Sequence, residues 1–433
     1  MYAELLKNQM MPIDKGLRIA VIGNMNNNGF TIMRYFRDLG FNAYLLPYST
    51  DGTGNLSHFL PEADTWDIDR WKSYILPLDI PNSSRGILHA ILSNVWPNKL
   101  KKDLLLKYDF FIGSGATPAI FEALKLKLDI FYPYGVGIEF YGDLEFHKKR
   151  KSSLLRGIVN GYIRRLQSKG IRNTRHCINP EMSITKDSFE KIGRSFLQLS
   201  VPVVYNREKN TQAVLRPHIS AVIKHMKSYE LSIFSCSRLR WDKSTLKSEI
   251  GENWKSASKN NDWLFIGLAQ FIRENPKARP LLICIEYGPD VEVTKKLIGD
   301  LGISQNVIWL PILQRREIML LLQTCDIGVG EFRSDPGILW GGTGWEVLSC
   351  GKPLLQSFNF SDASFESEFG YPPPFVLDVK SYQDVAIHLN TLYNDADRFD
   401  AITKRVSDWF ERYNGIGLAK QWLDLLEKND GKI

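Results

Sequence analysis

Alternation of strand-like and helix-like segments across residues 231–393 constrains the fold of this chain more than any other feature. Short strand-like runs fall at 231–235, 281–286, 306–310, 326–330, 352–356 and 375–377. Between most of them the pattern is helical, at 262–274, 291–301, 315–323, 343–350 and 382–393. Such alternation predicts a parallel sheet with helices on both faces, because parallel neighbours need a long crossover and a helix supplies it. The first half repeats the theme less regularly. RIAVIG at 18–23 opens a strand, an Asn/Gly loop and a helix to Gly40, and 42–46 gives the next strand. A second unit runs from the strand 109–112 through Gly113-Ser114-Gly115 and a helix to Lys127, then the strand 129–132. Residues 50–107, rich in Trp, Pro and Asp, read as long loops with short helices.

A chain of 433 residues exceeds one compact core, so two domains are expected. The polar stretch at 206–230 marks the break, giving a first domain over 1–228, a second over 229–410 and a C-terminal helix, 411–433, packing back on the first. The fold class is α/β, two tandem Rossmann-like doubly wound domains with a cleft between them. Five scattered cysteines without a CxxC pair speak against a disulfide framework or zinc site and fit a reducing, cytoplasmic setting. The N-terminus lacks a signal-peptide core, and no apolar run reaches the roughly 18 residues of a membrane span. The seven histidines show no metal-binding spacing.

The net charge of +7 is unevenly spread. Residues 147–176 carry ten Lys and Arg and no acid, with Leu154, Leu155, Ile158, Val159, Tyr162, Ile163 and Leu166 at helical spacing. This describes a basic amphipathic helix suited to an anionic membrane surface, or else a core-facing helix with a solvated outer face. Gly157 and Gly161 favour the second reading, since they allow close backbone approach. No module pattern for nucleic acid accompanies the charge.

Chemistry concentrates at 330–353, GEFRSDPGILWGGTGWEVLSCGKP. Gly341, Gly342, Thr343 and Gly344 precede a helix whose first turn carries Glu346. Exposed N–H groups at a helix start suit a diphosphate, and a carboxylate one turn in can accept from two ribose hydroxyls. The alternative is a tight turn with an acid favoured by the helix dipole.

This stretch resembles the donor loop of the GT-B glycosyltransferases, in particular the retaining family 4 group related to glycogen and sucrose synthases. Gly344-Trp345-Glu346-Val347 and Gly351-Lys352-Pro353 match the second half of that loop. The family's first glutamate, a donor-sugar contact, falls on Ile338, with Asp335 the nearest acid. FSCSRLR at 234–240 and Lys259-Asn260-Asn261-Asp262 resemble the segments whose Arg and Lys hold the donor diphosphate. The resemblance implies Arg238 or Arg240 with Lys259 for that role, Glu346 for the ribose, and Trp309, Leu310, Pro311 and Ile312 near the base. It spans about 230–415; the N-terminal half matches in architecture alone.

On this reading residues 1–228 form the acceptor domain and 229–410 the donor domain. In relatives the first loop lies near the donor phosphate or the acceptor, which points to Asn24 and Gly29. Glu139 and Asp143, in a glycine- and aromatic-rich segment after the strand 129–132, are the candidate catalytic carboxylates; two solvated acids are the alternative. The implied activity moves a sugar from a nucleoside-diphosphate sugar to a hydroxyl of a glycan or lipid-linked acceptor, with retention. It needs no metal and no cofactor beyond the sugar nucleotide as co-substrate, and it would take place in the cytoplasm or at the inner face of the membrane. Two rivals stay open: an epimerase or hydrolase on the same scaffold, and a non-catalytic binding subunit, which the loss of the first acid favours.

Overall fold

Along β1 (Arg18–Ile22) the side chains part to opposite faces. Ile19 and Val21 enter one buried cluster, and Ala20 and Ile22 enter another. A strand apolar on both sides belongs in the middle of a covered parallel sheet. The computed structural model describes residues 16–48, 60–78, 80, 84–92, 100–133, 154–179, 183–208, 215–333 and 341–427. In it β1 pairs with β2 (Asn42–Leu46) and β3 (Phe110–Gly113), and the sheet continues through β4 (Ile130–Phe131), β5 (His176–Asn179) and β6 (Leu197–Gln198). The order is β2-β1-β3-β4-β5-β6, all parallel.

The second sheet holds β7 (Leu231–Ser235), β8 (Pro280–Ile285), β9 (Val307–Leu310), β10 (Ile327–Val329), β11 (Leu354–Gln356) and β12 (Leu377–Asp378). Its order is β12-β11-β10-β7-β8-β9, again parallel throughout. Counted from its own first strand this is the 3-2-1-4-5-6 arrangement of a doubly wound fold. The α/β class with two Rossmann-like sheets is therefore what the chain adopts. Every strand expected in the second half is present, and so is the helix Asp262–Glu274.

Differences from the sequence reading sit where apolar runs are short. β5 and β6 have four and two residues, too few for a period-2 signal. The polar stretch at 206–230 contains the helix Pro217–Met226, which sends Ile219, Val222 and Met226 into the C-terminal core. Within the crossover, Val201 and Tyr205 join the N-terminal core while Val203 and Val204 join the C-terminal one. The chain returns through the helix Ala396–Tyr413 to the helix Ile416–Glu427, whose Trp422 is fully buried among N-terminal residues. Its indole meets Tyr132 edge-on and donates to Ser200 O at 3.0 Å.

The basic helix, Leu154–Asn173, is packed differently from the glycine argument. A Cβ at Gly161 would meet nothing within 4 Å, whereas one at Gly170 would lie 2.0 Å from Pro118 O. The close approach is one helical end further on. Ile163 is buried with Val159 and Leu166 against the core, while Ile158 and Tyr162 are 65% and 45% exposed. Among the described residues no helix is long and apolar enough to cross a membrane.

Candidate functional site

The strand order of the second sheet reverses between β7 and β10, and open α/β sheets bind ligands at the carboxyl ends of strands at such a switch. Three loops meet there. Lys259 N donates to Arg240 O at 2.8 Å, and Phe332 N to Lys259 O at 3.3 Å. Asn261 ties the same loops, accepting from Arg240 N at 2.9 Å and donating to Ser237 Oγ at 3.1 Å. Asn260 takes a left-handed backbone, φ 42°, which Asn tolerates, and donates to Phe332 O at 2.8 Å. Both asparagines thus hold backbone in place, leaving Lys259 to supply the charge.

The Lys259 ammonium is paired with Glu331, a residue the sequence reading passed over. Glu331 stands two residues past the β10 strand end, and this position at a switch is the signal that could have found it. Its carboxylate is buried and also takes Arg333 Nε at 2.5 Å. Burial alone would raise its pKa; Lys259 and Arg333 outweigh that and hold it below the ordinary value. Gly341 borders the same carboxylate, since a Cβ there would lie 2.7 Å from Glu331 Oε1.

Helix Gly342–Ser349 begins at this point, and its N-cap residue, Gly341, has no side chain to cap the first N–H groups. The glycines have a packing reason too. A Cβ at Gly344 would come within 2.7 Å of Gln356 Oε1, and one at Gly330 within 1.9 Å. Glu346 lies one turn in, with its side chain 13% exposed, and its Oε1 accepts from Arg315 Nε at 3.0 Å. Burial pushes the Glu346 pKa above the ordinary carboxylate value, Arg315 opposes the shift and Asp64 adds to it.

The two candidate arginines differ. Arg240 is paired with Glu249 at 2.8 Å, while Arg238 is exposed with its guanidinium 6.0 Å from the Tyr287 ring centre. Neither touches Lys259 by side chain in the contacts described, although the Arg240 backbone does. Trp309 and Leu310 end β9 and lead through Pro311 to Ile312, which is 63% exposed at the rim. Glu139, Asp143, Asp335 and Ile338 lie outside the described residues.

In the N-terminal half the switch falls between β1 and β3. Asn24 braces its loop, donating to Asn27 Oδ1 at 2.7 Å and accepting from Phe30 N at 2.9 Å. Gly29 is required by packing, since a Cβ would lie 2.1 Å from Gly23 O. Asn26 O accepts from Arg315 Nη1 at 2.8 Å, so this loop reaches the Glu346 side of the cleft. Among the described residues no group of three or more His, Cys, Asp and Glu is placed to hold a metal.

No family model matches the sequence, and no curated protein matches it by sequence. Solved structures match over nearly its whole length. Anabaena HepE, determined with UDP and glucose, is 15% identical, covering 95% of this chain and 99% of its own, with a TM-score of 0.53. A glycosyltransferase from Rickettsia africae is 14% identical over 96% of this chain and 99% of its own, TM-score 0.55. The UDP-GlcNAc 2-epimerase of Neisseria meningitidis, bound to UDP-GlcNAc, is 14% identical over 95% and 99%, TM-score 0.54. The chain has the GT-B fold these proteins share.

Proposed function

We propose that this chain transfers a sugar from a nucleoside-diphosphate sugar to a hydroxyl of a glycan or lipid-linked acceptor, with retention of configuration. One observation carries the reading: Lys259 and the glycine-capped start of helix Gly342–Ser349 converge at the switch of the second sheet, with half-buried Glu346 one turn in. A leaving nucleoside diphosphate gains charge as the glycosidic bond breaks, and a fixed cation with helix N–H groups stabilises it. Lys259 would serve the diphosphate, with Arg238 the exposed cation nearest in sequence to the β7 end. Glu346 would accept from the ribose hydroxyls, and the Trp309–Ile312 rim would meet the base. Similar structures that hold UDP or UDP-sugars favour uracil as that base.

Mass spectrometry of reactions with UDP-glucose and UDP-GlcNAc, with and without oligosaccharide and polyprenyl-linked acceptors, tests the proposal. A product heavier by one sugar, formed only with acceptor, supports it, and NMR of the new anomeric centre reads retention. An epimer or free sugar released without acceptor turns the reading to the epimerase or hydrolase on this fold. Nucleotide binding without consumption turns it to a binding subunit.

The acceptor side points to an anionic membrane surface. Arg164, Arg165, Lys169, Arg172 and Lys191 line one open groove, beside exposed Ile158 and Tyr162 on the same helix. Cations with adjoining apolar side chains suit an interface of acidic lipid. Arg164→Glu with Arg165→Glu should lower co-sedimentation with phosphatidylglycerol vesicles and leave phosphatidylcholine background unchanged. Equal sedimentation of the variant would remove this part of the proposal.

A further inference from the structure

Five charged side chains of alternating sign run from the candidate ribose carboxylate into the other domain. Arg315, 9% exposed, holds Glu346 by Nε at 3.0 Å, and its Nη1 lies 3.5 Å from Asp64 Oδ1. Asp64, 5% exposed, is paired with Arg34, which is 1% exposed and reaches Glu208 at 3.3 Å. Glu346 and Arg315 belong to the C-terminal half, Asp64 and Arg34 to the N-terminal half, and Glu208 to the crossover between them. Arg34 is further fixed between the rings of Phe30 and Tyr205, at 4.0 and 4.3 Å. Glu208 is fixed by Thr65 Oγ1 at 2.6 Å and Trp66 N at 3.0 Å. Beside them Arg316 donates to Thr65 O at 3.1 Å.

Buried charges are costly unless each meets an opposite one with good geometry. Here the middle pair, Arg315 and Asp64, exists only while the two halves are together, and so does the bond from Arg315 to Asn26 O. Parting the halves removes the Asp64 and Asn26 contacts of Arg315, and with them part of the restraint on the guanidinium that orients Glu346.

We infer that Arg315 is a positioning residue, coupling the closure of the two domains to the orientation of the Glu346 carboxylate. Donor affinity at Glu346 and closure onto Asp64 then form one equilibrium, and coupling of this kind is reciprocal. The inference rests on the reading of Glu346 as the ribose carboxylate.

The test uses the full chain and the variants Asp64→Asn, Arg315→Gln, Arg315→Lys and Glu346→Gln, each first shown to melt cooperatively. UDP affinity is measured by calorimetry and the radius of gyration, without nucleotide, by X-ray scattering. Asp64→Asn, at the N-terminal partner of Arg315 and not itself a donor candidate, should weaken UDP about fivefold or more and enlarge the particle. Arg315→Gln should do both more strongly, and Arg315→Lys should recover part of each. Unchanged affinity and size in Asp64→Asn would overturn the coupling, as would an Arg315→Gln defect in affinity with no change in size. If the wild type binds no UDP, the donor reading fails by itself, and scattering still decides the coupling: expansion in Asp64→Asn and Glu346→Gln upholds it, unchanged profiles overturn it.

Discussion

The two sheets are alike in architecture and unlike in how their ends are connected. In the C-terminal half short loops join strands and helices, and the loops at the β7/β10 switch are bound to one another through Lys259, Asn260 and Asn261. In the N-terminal half the connection from β2 to β3 covers residues 47–109, and the core is completed by Trp422 from the far end of the chain. The C-terminal half therefore has its candidate site in its own wiring, while the N-terminal half depends on its partner for part of its core. A donor nucleotide needs a fixed site; acceptors vary, and long connections accommodate variety.

The sharpest break of this comparison comes from charge at the C-terminal switch. Lys259→Ala should lower sugar transfer by about 100- to 1,000-fold, the usual loss for one preorganised electrostatic contact. Asn24→Ala, at the corresponding N-terminal loop, should act mainly on stability by losing the bond to Phe30 N. Initial rates and melting temperatures of the two variants read this directly; equal losses of rate would erase the asymmetry.

Trp422→Ala comes next. Removing a fully buried indole costs about 3–5 kcal/mol, and here the loss should fall on the N-terminal half although the residue is C-terminal in sequence. Hydrogen exchange resolved by peptide should show β1 and β4 losing protection while β7 and β8 keep theirs.

Glu331→Gln should destabilise by about 1–3 kcal/mol at neutral pH, since it leaves Lys259 and Arg333 without their buried anion. The folded pKa of Glu331 is depressed, so its contribution is present above the unfolded carboxylate value of about 4.3. It is lost as pH falls through the lower folded value. Denaturant midpoints of wild type and variant should therefore converge on acidification below pH 4.

The smallest effect distinguishes two glycines on one helix. Gly161→Ala, with open space around it, should stabilise by about 0.5–1 kcal/mol through helix propensity. Gly170→Ala should destabilise, because Pro118 O occupies the place of the methyl group. Thermal melts that move in opposite directions confirm the packing of this helix.

Much of the second sheet was legible because its longer strands are short apolar runs set off by helices, as in 281–285 before 291–300. The first sheet was legible only at β1 to β4. β5 lies in a His-Cys-Ile-Asn tetrad with no alternation to read, and β6 is a dipeptide with Leu197 exposed. At the site, spacing led to Glu346 and the family resemblance to Lys259, but neither led to their partners. Glu331 is 72 residues from Lys259, and Arg315 is 31 from Glu346. Pairings across such separations are made by topology, and no local pattern carries them.

The most direct test of the central claim, a donor site at the β7/β10 switch, is a thermal-shift panel with UDP, GDP, CDP, ADP and dTDP on the wild type, Lys259→Ala and Glu346→Ala. Binding to the native state must raise apparent stability. The account predicts that one nucleotide raises the wild-type melting temperature and leaves both variants unmoved. No shift with any nucleotide at millimolar concentration, or an equal shift in all three proteins, would contradict it.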